Sequence, residues 1–407
     1  MARGAVHAAV HAAVHAQNQS RGMELSQKYL TKSLVRCGLK CPKKLVYATN
    51  PTMFPQSSDI VEDPMLQHLS NQGEKFGEYC KLLFPHGVEI GSTSRVRPRG
   101  DEMTYQHGNT SLSLESLIAQ TQQMLMTCPE KNNRVTIFEG AISHESFYAR
   151  PDILDMFINA DGELELRVIE VKSKSWDSRH TVLDKMWTER KTIRAAFLPY
   201  IQDVAFQTMV CRLVYPAIHI SSWLMMPDRA KTLKCNNNLE LTNDMMHTVD
   251  ETMQAVDDSI ASLVNVDELV EKALTDEVSY PGSNMNGETC DLQTQVKLWA
   301  ERLNRNNFDT LSTPIGTHCS SCEYRVKKPA EGTYSGFDIC WEAATGRTKE
   351  ELQNSPLLVD LYGITTKEMT LFLSEAKYTL SDLTKYDFFG EHESSTMKKR
   401  FGGDTIK

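Results

Sequence analysis

Two carboxylates and a lysine stand where two predicted strands meet. Pro151-Asp152 opens one strand, and Glu170-Val171-Lys172 closes the next. Side chains alternate between the faces of a strand, so Glu170 and Lys172 point the same way, and Asp152 joins them if the strands are adjacent. Buried charges are costly unless they pair or bind a metal. A divalent cation at Asp152 and Glu170 would activate water for phosphodiester cleavage; the alternative is a surface hairpin with an ordinary salt bridge.

The elements around these residues alternate between helix and strand. Apolar residues at helical spacing follow the plausible N-cap Ser113, and turn residues at 159–162 separate the second and third strands. The predicted order is a helix at 114–125, strands at 134–142, 153–159 and 164–172, a helix at 195–214 and a strand at 217–226. The fold class is therefore α/β, and the charged residues lie on its second and third strands.

The cysteines form a second pattern. The chain has ten, among them a Cys-x-x-Cys pair at Cys319 and Cys322, followed by Cys340, with Cys37 and Cys41 far upstream. No secretory signal peptide is visible, so metal binding or plain burial explains the thiols better than a disulfide framework does. A Cys-x-x-Cys pair presents two thiolates to one metal centre, and four thiolates suit either an iron–sulfur cluster or zinc. The remaining cysteines are expected to be small buried hydrophobes: Cys80, Cys128, Cys211, Cys235 and Cys290.

Taken in this order, the motifs resemble those of the RecB-like PD-(D/E)XK nuclease superfamily, in its iron–sulfur branch of the AddB and CRISPR-adaptation type. The chain is similar to a bacterial family of uncharacterised RecB-like proteins that carry an iron–sulfur PD-(D/E)XK module. The shared phrases are Leu30–Ser33, Phe76–Phe84, Asp152–Leu154, Glu170–Ser173, Asp203–Gln207 and His318–Cys322. The resemblance implies a restriction-endonuclease-like αβββαβ core with helical insertions.

The resemblance also implies roles for the charged residues. Asp152, Glu170 and the Val171 carbonyl would hold Mg²⁺ or Mn²⁺, and Lys172 would orient or activate the attacking water. Gln207 fits the position of the helix glutamine that contacts substrate near the metal in RecB-type nucleases, and it shares a helix face with Asp203 four residues earlier. The alternative is that this pair consists of solvent-facing polar residues.

Two positions depart from the family pattern. Cys211 stands where the familiar members have a tyrosine after the helix glutamine, and the segment ahead of the core lacks the usual metal-binding histidine. Glu78 or Glu139 could replace that histidine as a third metal ligand.

The resemblance also implies a [4Fe–4S] cluster that joins the N- and C-terminal parts of the chain. Its four ligands would be Cys41, Cys319, Cys322 and Cys340. Cys41 is preferred to Cys37 because the relatives read Cys-Pro-Lys-x-Leu here and this chain reads CPKKL from Cys41. The spacing between Cys322 and Cys340 is wider than in the relatives, and Zn²⁺ is the alternative ion.

Charge is distributed unevenly along the chain. The net charge is −9, yet residues 240–277 contain eleven acids and one base, which leaves about +1 elsewhere. Basic residues concentrate at 28–44 and 172–194, which favours nucleic acid as a partner, DNA more than RNA; the alternative is a solvated face. The sequence contains no run of eighteen apolar residues, so it predicts no membrane-spanning helix. The acidic segment is a solvated cap or a docking site for a protein partner.

The predicted organisation has four parts: a disordered low-complexity leader at 1–25, a nuclease domain at 26–345, a helical segment at 346–390 and a flexible tail at 391–407. Within the second part lie the core at 113–227, an acidic helical insertion at 228–310 and cluster-binding ends at 28–47 and 316–345. The expected location is intracellular, in the cytoplasm, nucleoid or nucleus, with organellar targeting by the acid-poor leader as the alternative.

The sequence therefore favours a metal-dependent nuclease, a hydrolase of DNA repair or recombination with a structural iron–sulfur cluster. Two alternatives stay open. One is a catalytically silent nucleic-acid-binding module of the same fold, and the other is a zinc-stapled interaction protein.

Overall fold

The computed structural model describes residues 29–57, 64–91, 113–127, 134–232, 259–280, 289–305 and 315–384. The leader predicted at 1–25 and the tail predicted at 391–407 lie outside these residues, as do the acids at 240–258. The chain divides into two compact units. Unit 1 comprises Met1–Ser26, Lys40–Glu62 and Leu311–Lys407, and unit 2 comprises Gln27–Leu39 and Asp63–Thr310. Each unit is described separately.

Nine strands are present in the described part of unit 2. They are β1 (Leu30–Thr31), β2 (Val88–Glu89), β3 (Val135–Phe138), β4 (Ile142–His144), β5 (Phe147–Ala149), β6 (Ile153–Ile158), β7 (Leu164–Val171), β8 (His219–Pro227) and β9 (Ala261–Asn265). Strands β2-β3-β6-β7-β8-β9 form one sheet in that order, and β1-β5-β4 form a second. With helices on the sheet faces, the fold class is α/β, as predicted.

Eleven α-helices are present in the described residues. They are α1 (Lys32–Lys40), α2 (Lys43–Ala48), α3 (Pro64–Leu82), α4 (Leu114–Leu125), α5 (Val182–Met186), α6 (Leu198–Val214), α7 (Asp267–Thr275), α8 (Leu292–Arg305), α9 (Gly336–Thr345), α10 (Lys349–Gln353) and α11 (Thr366–Ser374). Ser113 caps α4 by accepting a hydrogen bond from the Ser116 N–H, which is why this helix begins where the sequence predicts.

The main sheet packs between helices. Strand β6 is antiparallel to β3 and β7, and β7 is parallel to β8. Alternate residues of β7 therefore face opposite helices. Ile169 packs with Cys80 and Phe84 at the end of α3, whereas Glu170 contacts α6. The parallel pair β7–β8 places the carboxyl ends of both strands at one edge of the sheet, and the charged residues cluster at that edge.

Two elements differ from the sequence prediction. The strand predicted at 134–142 is broken, because Glu139 adopts a left-handed backbone (φ 53°) and the chain then turns into β4. In the acidic insertion, Leu263 and Val264 were expected to be helical, yet they lie on β9 and pair with β8. Pairing with the edge of β8 determines their conformation, although the spacing of the apolar residues favours a helix. The insertion is therefore partly a sheet edge, followed by α7.

Unit 1 has its own core. Residues from α9 and α11 pack with the 3-10 helix Leu358–Asp360, burying Trp341, Leu358 and Phe372. Its two chain segments are joined by the Ser57 N–H, which donates to the Glu323 carbonyl over 2.7 Å. The sequence prediction assigned the cluster-binding ends to the same domain as the nuclease core. In the structure, Lys40–Glu62 belongs to the same unit as Leu311–Lys407, and Tyr47, Met53 and Phe54 pack there with Tyr324.

Asp155 shows that a motif carboxylate can be purely structural. It is fully buried on β6 and accepts two hydrogen bonds of 2.6 Å from Arg134 and one of 3.0 Å from Thr136. Replacing Asp155 by Ala should destabilise unit 2 by about 3–5 kcal/mol, because it leaves a largely buried guanidinium uncompensated. Chemical denaturation measures this loss. Asp161→Ala, in the exposed turn after β6, is the control and should change stability by less than about 0.5 kcal/mol.

Candidate active site and thiol cluster

The register between β6 and β7 brings the two predicted metal ligands together. Ile153 pairs with Ile169, so Asp152 stands opposite Glu170 one position further along. The Asp152 carboxylate accepts a hydrogen bond of 2.6 Å from the Val171 N–H, which fixes its orientation at the strand end. The structure thus places Asp152, Glu170 and Val171 at one point on the sheet edge.

Glu170 is buried and surrounded by three donors. Lys172 Nζ lies 2.6 Å from Oε1, and Lys32 Nζ lies 2.8 Å from Oε1 and 3.0 Å from Oε2. Gln207 Nε2 donates to Oε2 over 2.7 Å. Glu170 and Lys172 share a strand face, as their spacing predicts, and Gln207 reaches them from α6.

Helix α6 contributes Asp203 beside Gln207. Asp203 Oδ2 accepts a hydrogen bond of 2.9 Å from Lys172, and Arg36 Nε lies 3.5 Å from Oδ1. Both α6 residues are buried, which rules out the solvent-facing alternative. Within the described ranges, no hydrogen-bond partner reaches Asp203 Oδ1 or Gln207 Oε1. Buried acceptors without donors are rare in native proteins, and these two border the carboxylate pair.

Lys32 is a site residue that sequence reasoning missed. Strand β1 pairs with β5 in parallel, Leu30 against Phe147, and α1 begins directly after it. This pairing carries Lys32 to Glu170, although 138 residues separate them. The Leu30–Ser33 phrase was a signal of the resemblance, but nothing local in it indicates an active-site lysine.

The surroundings shift the pKa values of the Asp152 and Glu170 carboxyl groups in opposite directions. Burial, followed by the charge of Glu170, raises the pKa of Asp152 to about 7. Burial also acts to raise the pKa of Glu170, but the adjacent Lys32 and Lys172 ammonium groups outweigh it and lower that pKa below its usual value. Burial acts to lower the pKa of Lys172, and Glu170 and Asp203 overcome this and raise it. One carboxylate is held ionised beside a second that gains its charge near neutrality.

The titration of Asp152 can be measured in the metal-free protein. We expect its carboxyl carbon to titrate near pH 7 in a ¹³C NMR experiment. The Glu170→Gln variant should lower that pKa, because the neighbouring negative charge is gone while Lys32 and Lys172 remain. Asp161, in an exposed turn, provides a reference resonance in the same spectra. An Asp152 pKa that does not fall in Glu170→Gln would contradict the assignment.

The two acids considered as third ligands occupy different positions. Glu139 donates its backbone N–H to the Asp152 carbonyl over 3.1 Å. Burial raises the pKa of its side chain, which interacts electrostatically with Lys32. Glu78, on α3, forms an ion pair of 2.9 Å with Lys81. Of the two, Glu139 is the residue whose backbone forms a hydrogen bond with Asp152.

The four predicted cluster cysteines all lie in unit 1. Cys41 precedes α2, Cys319 lies within the 3-10 helix Thr317–Ser321, Cys322 caps the end of that helix, and Cys340 lies on α9. Electrostatic interactions link Cys41 to Cys319 and Cys340, and Cys319 to Cys322. Cys37 instead belongs to unit 2. The structure therefore brings together the four cysteines chosen from the sequence and leaves Cys37 in the other unit.

Aromatic residues enclose these thiols. Tyr47 Oη lies 3.0 Å from Cys340 Sγ, and Cys322 and Cys340 pack against the buried rings of Tyr47 and Tyr324. Burial raises the pKa of Cys322 to about 11 and that of Cys340 to about 12. Four cysteine thiols in one unit are a donor set that a metal centre would convert to thiolates.

The other cysteines, which were predicted to be buried, differ in their exposure to solvent. Cys80 and Cys211 are buried, Cys290 is partly exposed, and Cys128 and Cys235 lie outside the described residues. Cys211 lies on α6 one turn after Gln207, where a tyrosine was expected from the family pattern.

No group of three or more His, Cys, Asp or Glu side chains in the described ranges already has metal-ligand geometry. No protein-family model, curated protein or solved structure matches this chain. Among the helices that the structure describes, none is both long and apolar enough to cross a membrane.

Proposed function

We propose that the protein is a metal-dependent nuclease of the RecB-like PD-(D/E)XK superfamily, with αβββαβ core elements α4, β3, β6, β7, α6 and β8. The observation that carries this proposal is the Asp152–Glu170 pair at the ends of adjacent strands, with Glu170 buried and Lys172 on the same edge. A structural salt bridge would require one cation for one carboxylate. Here several polar groups converge, and within the described residues Asp203 Oδ1 and Gln207 Oε1 beside them accept no hydrogen bond.

The donor set fits a divalent cation. Asp152, Glu170 and the Val171 carbonyl would hold Mg²⁺ or Mn²⁺, which prefer oxygen ligands, and Glu139 is the favoured additional carboxylate. The bound cation would supply Lewis-acid stabilisation of a phosphoryl oxygen and a more acidic water. Lys172, held by Asp203, orients the attacking water and offsets charge that develops on the phosphate. Gln207 positions Glu170 through its amide N–H and has a free acceptor for substrate or water.

The thiols of unit 1 fit a structural metal centre. Cys41, Cys319, Cys322 and Cys340 would hold a [4Fe–4S] cluster, and zinc is the competing ion for a four-cysteine set. Cys41 comes from the N-terminal segment of unit 1 and the others from its C-terminal segment, so the centre would join the two.

The proposed substrate is nucleic acid, with DNA favoured over RNA. The wild-type protein is incubated with labelled single-stranded DNA, double-stranded DNA and RNA of one sequence, in Mg²⁺, Mn²⁺ or EDTA. Cleavage of at least one substrate that requires the divalent ion supports the proposal. Absence of cleavage for every substrate and metal would contradict it. Iron, sulfide and zinc analysis of anaerobically purified protein distinguishes the two metal centres.

A catalytically silent binding module is the second candidate. The observation in its favour is that two lysines already neutralise Glu170, so a nucleic-acid phosphate could be bound there without any divalent ion. In that case the protein would bind DNA in EDTA as tightly as in Mg²⁺ and would cleave none of the substrates.

A further inference from the structure

Beyond the active site, the same edge of the sheet carries a pair of arginines on one carboxylate. Asp177 follows β7 by six residues and is buried, with its side chain 4% exposed. Arg179 donates from Nε and Nη2 to its two oxygens, both over 2.8 Å. Arg229 donates to Oδ2 from Nε over 2.9 Å and contacts it from Nη2 at 2.7 Å. The Asp177 carboxylate thus orients both guanidinium groups.

A second buried carboxylate fixes the two chain segments that carry these arginines. Asp228, directly after β8, accepts hydrogen bonds from the Ser178 N–H over 3.2 Å and the Ala230 N–H over 2.9 Å. Its other oxygen accepts a hydrogen bond of 2.6 Å from the Ser262 hydroxyl on β9. The Trp176 N–H donates to the Pro227 carbonyl over 2.8 Å. The arginines come from segments 50 residues apart, yet their backbones are tied together.

The arginine side chains are nevertheless exposed, by 69% for Arg179 and 59% for Arg229. A guanidinium has five N–H donors, and Asp177 takes two from each, which leaves three per group directed away from that carboxylate. His180, 44% exposed, lies 3.8 Å from Asp177 and adds charge when protonated. A rigid, exposed pair of guanidinium forks is complementary to phosphate oxygens.

We propose that Arg179 and Arg229 form a phosphate-binding site that holds the phosphodiester backbone of a nucleic-acid strand beside the active site. The identity of this ligand rests on the proposed nuclease function. The segment from Lys172 to Arg179 leads directly from one site to the other, and Lys174 lies on it, 5.0 Å from the Phe197 ring centroid. Backbone contacts of this kind position a strand without reading its sequence.

The test measures binding of a labelled single-stranded oligonucleotide in EDTA over a series of salt concentrations. Arg179→Gln/Arg229→Gln should weaken binding about 10- to 100-fold at low salt, and should reduce the slope of log affinity against log salt by about 1.4, as expected for two lost phosphate contacts. Arg212→Gln is the matched control. Arg212 pairs with Glu271 and lies in the last turn of α6, at the opposite edge of the sheet, so binding should not change.

A second variant guards against loss of the fold around Asp177. Arg179→Lys/Arg229→Lys keeps both charges but loses the planar fork, so the salt slope should stay near the wild-type value while affinity falls by less than in the glutamine variant. Melting temperatures are recorded for all proteins.

The outcomes separate this inference from the proposed function. Equal salt slopes for the glutamine variant and Arg212→Gln would overturn the phosphate site, even if the wild type cleaves DNA. A wild type that does not bind the oligonucleotide would overturn it as well. A wild type that binds with the expected slope change, yet never cleaves with Mg²⁺ or Mn²⁺, would contradict the nuclease function and support the phosphate site.

Discussion

Replacing Glu170 by Gln should reduce metal-dependent cleavage by at least about 10³-fold while leaving the fold intact. The substitution removes one negative charge where the cation would bind, and it preserves the side-chain volume on β7. Lys172 keeps its hydrogen bond with Asp203, so the variant does not strand a buried ammonium. Asp152→Ala, Glu170→Ala and Lys172→Ala should also abolish cleavage.

Cleavage of labelled DNA under single-turnover conditions measures this effect, and circular dichroism confirms the fold. Glu165→Gln is the matched control. Glu165 lies on the same strand at the opposite end, where it accepts a hydrogen bond of 2.7 Å from Ser221. Its replacement should leave the cleavage rate within about twofold of the wild type. Full activity in Glu170→Gln would remove this carboxylate from the mechanism.

Replacing Cys41 by Ser should cost iron content, solubility and thermal stability together. Cys41 and Cys319 lie 278 residues apart in the sequence, and a metal centre that joins them closes a long loop. Such a cross-link would contribute about 6 kcal/mol by the chain-entropy relation, and its loss should lower the melting temperature by about 10 °C. Metal binding adds folding free energy directly, because the site does not exist in the unfolded chain.

Elemental analysis and calorimetry of anaerobically purified protein measure these losses, and Cys37→Ser is the control. Cys37 belongs to unit 2, so this variant should retain its metal and melt close to the wild type. The reverse result, with metal lost in Cys37→Ser and retained in Cys41→Ser, would show that the ligand was chosen wrongly. If neither substitution changes metal content or melting, the thiols of unit 1 do not form a metal centre.

Short-range rules were enough to predict the carboxylate pair. Strand alternation put Glu170 and Lys172 on one face, and the turn at 159–162 set the register that brings Asp152 opposite Glu170. Helical spacing similarly put Asp203 and Gln207 on one face of α6, but it did not predict that this face is buried.

Long-range pairing decided the features that local patterns did not predict. Lys32 reaches the site only because β1 pairs with β5, and Leu263 is in a strand because β8 offers a free edge. Local patterns also did not predict the arginine pair, since Arg179 and Arg229 meet on Asp177 through the parallel pairing of β7 and β8. The basic residues at 172–194 indicated positive charge in this region, but they did not indicate how the two arginines are arranged on Asp177.

The discontinuity of unit 1 has a consequence for the order of events during synthesis. Cys41 leaves the ribosome about 300 residues before Cys340, an interval on the order of 15–60 s at ordinary elongation rates. The longer segment of unit 2, Asp63–Thr310, is synthesised within that interval, so the main sheet can form first. Throughout that time Cys41 would lack the other three proposed ligands and would be exposed to oxidation and to other metal ions. Assembly of the proposed metal centre would therefore be a late step, which would depend on a nascent chain kept reduced until its C-terminal helices emerge.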